Sequence, residues 1–255
     1  MPETALVTGA SSGIGEQFAR QLAKRGYELL LVARRADRLE ALARGLPTAS
    51  HAVQCDLATD AGSLQAKVAD LGADVDLLVN CAGFGTSGPF VEHDAERDAE
   101  QVRLNCEAIV ILTHAFLPPM IKRGRGGIIN VASSAGMQPI PYESVYAATK
   151  AFVISLSDAL HTELRGSGVR VICVNPGPVP TEFQQLAGYE PGRVGVVPGQ
   201  ISAEQAVREA LEAYDRGRRS VIPGIVMRWF MRLTQPSPRA IQLRVTERLY
   251  RPKKP

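Results

Sequence analysis

Tyr146 and Lys150 stand four residues apart in the run Tyr-Ala-Ala-Thr-Lys, and Ser133 lies thirteen residues upstream. Positions i and i+4 share a face of a helix, so this spacing sets the Lys150 ammonium beneath the Tyr146 phenol. A neighbouring cation favours phenolate and draws a tyrosine pKa down from about 10 toward working pH. A phenol tuned in this way can give and take a proton at a carbonyl or an alcohol. The same pair also occurs on exposed helices that do no chemistry, so its meaning rests on the elements that position it.

The opposite end of the chain supplies one such element. Residues 4–7 are apolar and β-prone, and Thr8-Gly9-Ala10-Ser11-Ser12-Gly13-Ile14-Gly15 follows at once, before an amphipathic stretch through Phe18, Leu22 and Tyr27. Strand, glycine-rich turn and helix present backbone N–H groups and a helix N-terminus to a phosphate. Gly9 supplies positive φ in the turn, Gly13 removes a Cβ where a pyrophosphate approaches, and Gly15 brings the helix close to the sheet. The spacing is Gly-x-x-x-Gly-x-Gly, not the commoner G-x-G-x-x-G.

Further strands are expected at residues 28–33, 51–55, 77–80, 127–131, 169–175 and 220–222. Helices are expected at 38–44, 61–71, 95–116, 145–165 and 203–216. The strands are continuous in Val, Ile and Leu, which suits parallel strands covered on both faces. The alternation predicts an α/β doubly wound parallel sheet, Rossmann-like, with seven strands in a single domain. The sequence has no Pro/Gly/Ser-rich linker and no repeat to divide its 255 residues. Residues 1–224 read as the catalytic domain, and 225–255 as a basic extension packed on it.

Composition removes several other classes. The four cysteines, at 55, 81, 106 and 173, have no metal-ligand spacing, so no metal is expected and free thiols in a reducing cytoplasm are. The sequence shows neither a signal peptide nor a run of about 18 apolar residues. His51, His93, His114 and His161 are read as isolated, and the acidic residues between Glu92 and Glu100 as a solvated helix face. Ser133-Ser134 lacks the G-x-S-x-G elbow of a serine hydrolase.

Thr8 to Gly15, Asp56-Leu57, Asn80-Cys81-Ala82-Gly83, Asn105, Ser133, Tyr146, Lys150 and Asn175-Pro176-Gly177 follow one another in an order that resembles the short-chain dehydrogenase/reductase family, in its compact single-domain branch. Asn-Cys-Ala-Gly stands where Asn-Asn-Ala-Gly is commoner. The resemblance implies that hydride passes between a nicotinamide and a carbonyl carbon. Tyr146 would donate the proton and Ser133 a hydrogen bond to the oxygen, while Lys150 tunes Tyr146 and holds the nicotinamide ribose. It implies that Ser11, Ser12 and Ile14 line the phosphate turn beside the three glycines. Asp56 would accept from the adenine amine, Leu57 would back the ring, and Asn80, Ala82 and Gly83 would run along the ribose and pyrophosphate with their backbone. Pro176, Gly177, Val179 and Thr181 would contact the nicotinamide. Asn105 has two readings, a water-positioning residue linked to Lys150 or a buried side chain bonding helix backbone.

The second strand bears on the choice of cofactor. An NAD site normally ends that strand with Asp or Glu, whereas Ala33 is followed here by Arg34 and Arg35. A guanidinium clamps a phosphate with two N–H donors, so NADP(H) is expected, with Arg34 the stronger candidate. Phe84, Met137, Tyr142, Phe183 and Tyr189 are expected to wall an apolar substrate pocket, with residues 188–199 as a lid. These readings predict an oxidoreductase acting on an apolar ketone, aldehyde or secondary alcohol. The alternative is a non-catalytic NADP-binding module that senses redox state. A homodimer or homotetramer is expected, without nucleic acid as partner.

The C-terminal segment departs from this pattern. Residues 228–255 hold eight Lys/Arg and one acid, so they carry +7 in a chain of net +3. Apolar residues interleave with these charges. Two readings remain open: a helix pair with its arginines in water, which the composition favours, or an element that rests on an anionic membrane or an acyl carrier.

Overall fold

The aliphatic runs pair side by side instead of folding back as hairpins. In the computed structural model, which describes residues 2–188 and 199–251, the strands are β1 (Thr4–Thr8), β2 (Glu28–Ala33), β3 (Ser50–Gln54), β4 (Val75–Asn80), β5 (Gly126–Val131), β6 (Val169–Val174) and β7 (Ser220–Val221). They form one sheet ordered β3-β2-β1-β4-β5-β6-β7, and the pairings are parallel throughout. Successive side chains alternate between faces. Ala5 and Val7 therefore meet Phe18 and Leu22 of α1 (Gly13–Lys24), Leu39 of α2 (Ala36–Arg44) and Val207 of α8 (Ala203–Asp215). Leu6 faces the other layer, with Leu64 of α3 (Leu64–Asp70) and Leu112 and Phe116 of α5 (Ala108–Arg123). With both faces covered, β1 and β4 are buried at every position. That burial is why neither strand alternates polar with apolar in sequence.

Strand order reverses between β1 and β4, and this opens a crevice beyond their carboxyl ends. Three hydrogen bonds fix its edge. The Thr8 hydroxyl donates to the Val79 carbonyl at 3.1 Å and accepts from the Cys81 and Ala82 amides at 2.9 and 3.0 Å. Deeper in the sheet, Asn80 donates to Asn130 at 2.9 Å and Asn130 to Ser157 at 2.9 Å, which ties β4 and β5 to α6 (Ser144–Glu163).

Four expectations need correction. The helix predicted at 95–116 is α4 (Ala95–Val102), a wide π-type turn at Arg103–Glu107 and α5, which continues through Pro118 and Pro119 to Arg123. Pro119 has no N–H for the Ala115 carbonyl, and Gln65 supplies a donor there at 3.3 Å, so the helix survives the proline pair. Gly124, at φ 65°, ends it in a left-handed cap. This stretch, Ala95–Arg123, is also long and apolar enough to cross a membrane by composition, which the run-length reading missed. In the fold, Ala108, Leu112, Phe116 and Met120 spend that character on the sheet. His93 is not isolated, and Asp98 is not a solvated acid. The His93 ring lies 3.0 Å from buried Asp98, which also accepts from Thr86 at 2.8 Å.

After β6 the chain forms a short α7 (Phe183–Leu186), and after β7 it forms α9 (Ile225–Thr234) and α10 (Arg239–Tyr250). Met227 and Met231 of α9 are buried, as is Thr246 of α10, whose hydroxyl donates to the Gln242 carbonyl at 2.8 Å and lies 3.3 Å from that of Pro139. Both helices therefore lie against the segments that leave β5 and β6.

The phosphate turn tolerates no side chain at Gly15, where a Cβ would sit 2.2 Å from the Gly9 carbonyl oxygen. Gly15→Ala is expected to destabilise the chain by about 1–3 kcal/mol, the usual cost of overpacking. The midpoint of chemical unfolding should fall with an unchanged slope; an unshifted midpoint would show that the turn relaxes freely.

Candidate active site

The glycine turn shapes one end of a cleft of about 470 Å³. Gly9 and Gly13 take φ of 68° and 58°, a region that side chains disfavour. A Cβ at Gly13 would press on the Thr181 methyl at 3.0 Å, so Thr181 closes directly over the turn. The Ser12 side chain makes no capping bond to α1, and the first N–H groups of that helix stay available to an anion. Ser11, Ile14, Ala82, Gly83, Pro176, Gly177 and Val179 line the same cleft. This cradle fits a dinucleotide pyrophosphate. Asn80, whose predicted contact is through its backbone, buries its side chain in the sheet on Asn130.

At the adenosine end, Arg34, Arg35, Asp56 and Leu57 line the cleft. The two arginines have different neighbours. Arg34 lies 3.4 Å from Glu100 and 3.9 Å from Asp56, more than half of its side chain exposed. Arg35 donates to the Ser11 hydroxyl at 3.0 Å and to the Ser12 hydroxyl at 3.0 Å, and so reaches the phosphate turn itself. Glu182 pairs with Arg35 at 2.9 Å and with Arg38 at 2.7 Å, and hydrogen bonds from the two arginines hold its carboxyl below the usual range. Asp56 accepts from the Ala58 amide at 3.0 Å.

At the other end, Ser133 follows β5 and opens a tight turn, Ser134–Met137. Its hydroxyl accepts from the Ala135 amide at 3.1 Å and hydrogen-bonds Tyr146. The turn sits hard on α6, since a Cβ at Gly136 would lie 2.4 Å from the Lys150 carbonyl carbon. That close approach brings together two hydroxyls from different elements. Lys150 is buried one turn below and donates to the Val131 carbonyl at 3.0 Å, its Nζ 5.8 Å from the Tyr146 ring centre. The expected depression of the Tyr146 pKa is not found. Burial drives the phenol well above the ordinary tyrosine range, and only the Ser133 hydrogen bond opposes it. Burial likewise lowers Lys150, whose ammonium is committed to Val131.

Asn105 sits in the π-type turn, entirely buried. It donates to the Phe84 carbonyl at 2.9 Å and to Thr149 at 3.0 Å, and accepts from the Phe84 amide at 3.2 Å. These bonds go to loop backbone and to a side chain of α6, not to the helix backbone that its second reading named. They hold the loop after β4 against α6, with Gly83 between Asn105 and Lys150.

The expected substrate wall divides. Phe84 and Phe183 line the cleft, and the Phe183 ring centre lies 5.3 Å from that of Tyr146. Met137 and Tyr142 do not line it. Met137 ends the turn docked on α6, while Tyr142 adopts a left-handed φ of 69° and bonds Arg251. Tyr189, with most of the expected lid, falls outside the described residues. Arg97 and Tyr250 are among the lining residues that escaped the sequence reading. Arg97 stacks its guanidinium 3.7 Å from the Phe84 ring centre, and Tyr250 reaches in from the end of α10 to pack beside Tyr146. Arg97 was hidden in an apparently solvated acidic helix, and nothing in the spacing of Tyr250 marks it.

Among the described residues no set of His, Cys, Asp and Glu is arranged to hold a metal. The Cys81 thiol in the cleft is pushed up to about 12 by burial, which keeps it protonated and unreactive.

Comparison with known proteins agrees with this geometry. The family model described as short chain dehydrogenase matches residues 3–190. The serine 3-dehydrogenase of Agrobacterium fabrum is 38% identical over 186 residues, covering 72% of this chain and 74% of its own. A short-chain dehydrogenase from Sphingobium yanoikuyae in complex with NADPH superposes with a TM-score of 0.82 at 37% identity, over 90% of this chain and 91% of its own. The bulky-bulky ketone specific alcohol dehydrogenase of Comamonas testosteroni gives 0.75 at 32% identity, over 92% of each. With its phosphate cradle and a serine, tyrosine and lysine gathered at one end of a single cleft, the chain belongs to the short-chain dehydrogenase/reductase family of NAD(P)-dependent oxidoreductases.

Proposed function

We propose that the chain uses NADP(H) to interconvert an apolar ketone or aldehyde and its alcohol, with Ser133, Tyr146 and Lys150 serving the reacting oxygen. The observation that carries this reading is the meeting of the Ser133 and Tyr146 hydroxyls in a cleft whose far end holds Arg34 and Arg35. The bound nicotinamide supplies the hydride or takes it back. In reduction, Ser133 gives the carbonyl oxygen a hydrogen bond and Tyr146 delivers its phenolic proton as negative charge grows there. Burial keeps Tyr146 protonated until then, as a donor requires. Lys150 holds exchangeable protons beneath it, on the Val131 carbonyl.

No carboxylate ends β2, which supports NADP(H), as does the NADPH complex of the Sphingobium relative. Phe84, Ala135, Phe183, Leu186 and Tyr250 give the substrate end an apolar wall. The Comamonas relative, a bulky-ketone enzyme by its name, accords with this. The Agrobacterium relative takes serine by its name, so a substrate panel should span bulky ketones, 3-oxoacyl thioesters and hydroxy acids. We further propose assembly through α4, α5 and α6, which expose Val102, Ile121 and Phe152.

Tyr146→Phe should cut turnover about 100- to 10,000-fold, the usual worth of a general acid. NADPH affinity by fluorescence titration should survive; retained turnover would remove Tyr146 from the chemistry. Arg34→Ala and Arg35→Ala test the cofactor end separately. Whichever arginine grips the 2′-phosphate should weaken NADPH about 10- to 100-fold when lost and leave NADH nearly unchanged. Equal losses for both cofactors would assign the residue to the fold.

Burial raises three of the six tyrosines, Tyr27, Tyr146 and Tyr214 (Tyr214 to about 12). A folded-state pKa above the unfolded one contributes stability that is present below about pH 10 and lost as pH rises through the raised values. In a spectrophotometric titration, these three phenols should ionise only above the ordinary range, together with loss of the folded circular dichroism. Six phenols titrating as one class in a folded chain would contradict the burial of Tyr146.

A further inference from the structure

Half of the exposed large hydrophobic side chains among the described residues, seven of fourteen, lie between residues 225 and 245. On α9, Ile225, Val226, Trp229 and Leu233 are each more than half exposed and fall within an arc of ~100° at helical spacing. Arg232 flanks this stripe with its guanidinium 5.4 Å from the Trp229 ring centre. On α10, Ile241 and Val245 share a face with Arg244 and Arg248, and all four are exposed. The inward faces are already used, by Met227 and Met231 against the body of the fold and by Thr246 on Pro139. What remains outside is therefore a surface of aliphatic side chains, one indole and arginines.

The charge on this surface decides what can cover it. Arg228 pairs with Glu209 and Arg251 with Glu247, but Arg232, Arg239, Arg244 and Arg248 have no ion pair among the described residues. Residues 228–255 carry +7. A second copy of this face would set like charges against one another. A neutral apolar partner would strip water from the arginines and return no counter-charge. An anionic bilayer answers both needs, since aliphatic side chains enter the acyl boundary by about 5–10 Å while arginines meet lipid phosphates and an indole sits at the interface.

We infer that α9 and α10 dock the chain peripherally on an anionic membrane surface, through the Ile225–Leu233 stripe and the arginines beside it. Ile241 and Val245 on this face also line a side cavity of about 80 Å³, and that cavity reaches Ser134 and Ala135, which line the main cleft as well. A docked chain would thus turn an apolar path toward its active site to the bilayer. The docking itself stands independently of the proposed reaction.

Trp229 is the sole tryptophan of the chain, so its emission reports on this face alone. With the purified full chain and phosphatidylglycerol-containing vesicles at low salt, emission should shift to the blue and the protein should float with the vesicles. Pure phosphatidylcholine vesicles should do neither. Salt near 0.5 M, where the Debye length is about 4 Å, should reverse the binding. Replacing two arginines, Arg244→Gln with Arg248→Gln, should weaken vesicle binding about 30-fold, at the worth of two near-surface cations. Unchanged emission on anionic vesicles, equal binding to neutral ones, or full binding by the double variant would overturn the inference. So would a blue shift without vesicles that follows protein concentration, since a second copy would then be covering the face.

Discussion

Where Gly136 meets the Lys150 peptide there is no space for a side chain, and the geometry of the site follows from that contact. The turn after β5 carries Ser133, and α6 carries Tyr146. Any residue larger than glycine at 136 would hold the two elements apart and separate the hydroxyls. The same contact takes water away from the floor of the cleft. It therefore also sets the electrostatics: Tyr146 stays protonated and Lys150 gives up part of its affinity for a proton, both through desolvation. A cation four residues along a helix was reason to expect an acidic phenol. In the folded chain burial outweighs proximity, because Lys150 directs its ammonium to Val131.

The opposite end of the cleft is governed by pairing. Arg35 and Arg38 converge on Glu182, which belongs to the segment that walls the substrate end. This carboxylate holds the two guanidiniums between the phosphate turn and the start of α7. Carboxylate and phosphate are both bidentate acceptors for arginine, so a phosphate bound beside the turn would meet Glu182 at the same donors. Cofactor-end charge and substrate-end backbone are thereby joined in one network, although their residues are far apart in sequence.

Much of this could be read from the chain. Parallel strands buried on both faces announce themselves as continuous Val, Ile and Leu runs, and the glycine turn names its own conformation. Boundaries failed where a side chain far away in sequence repaired the backbone. Gln65 keeps α5 helical past its prolines, a compensation that no local pattern encodes. The lining of the cleft was legible wherever residue type and motif order set position, as for Gly13, Arg34, Ser133 and Tyr146. It was illegible wherever tertiary packing chose the partner. His93 and Asp98 look like surface residues until Thr86 folds over them, and Met137 and Tyr142 occupy the expected segment but point elsewhere.

Tyr250 shows why the C-terminal extension belongs in any account of this site. It is the last residue of α10, yet it packs in the cluster of Ala135, Ile140 and Tyr146. The helix that places it is held to the body by inward contacts such as Thr246 on Pro139, while Ile241, Leu243 and Val245 remain in water. A helix secured along one side and wetted along the other has little apolar burial to resist displacement. Whatever covers its outer face will therefore steady Tyr250 and, through it, one wall of the cleft. The extension is thus coupled to the active site by packing, and its surface chemistry bears on how that wall is held.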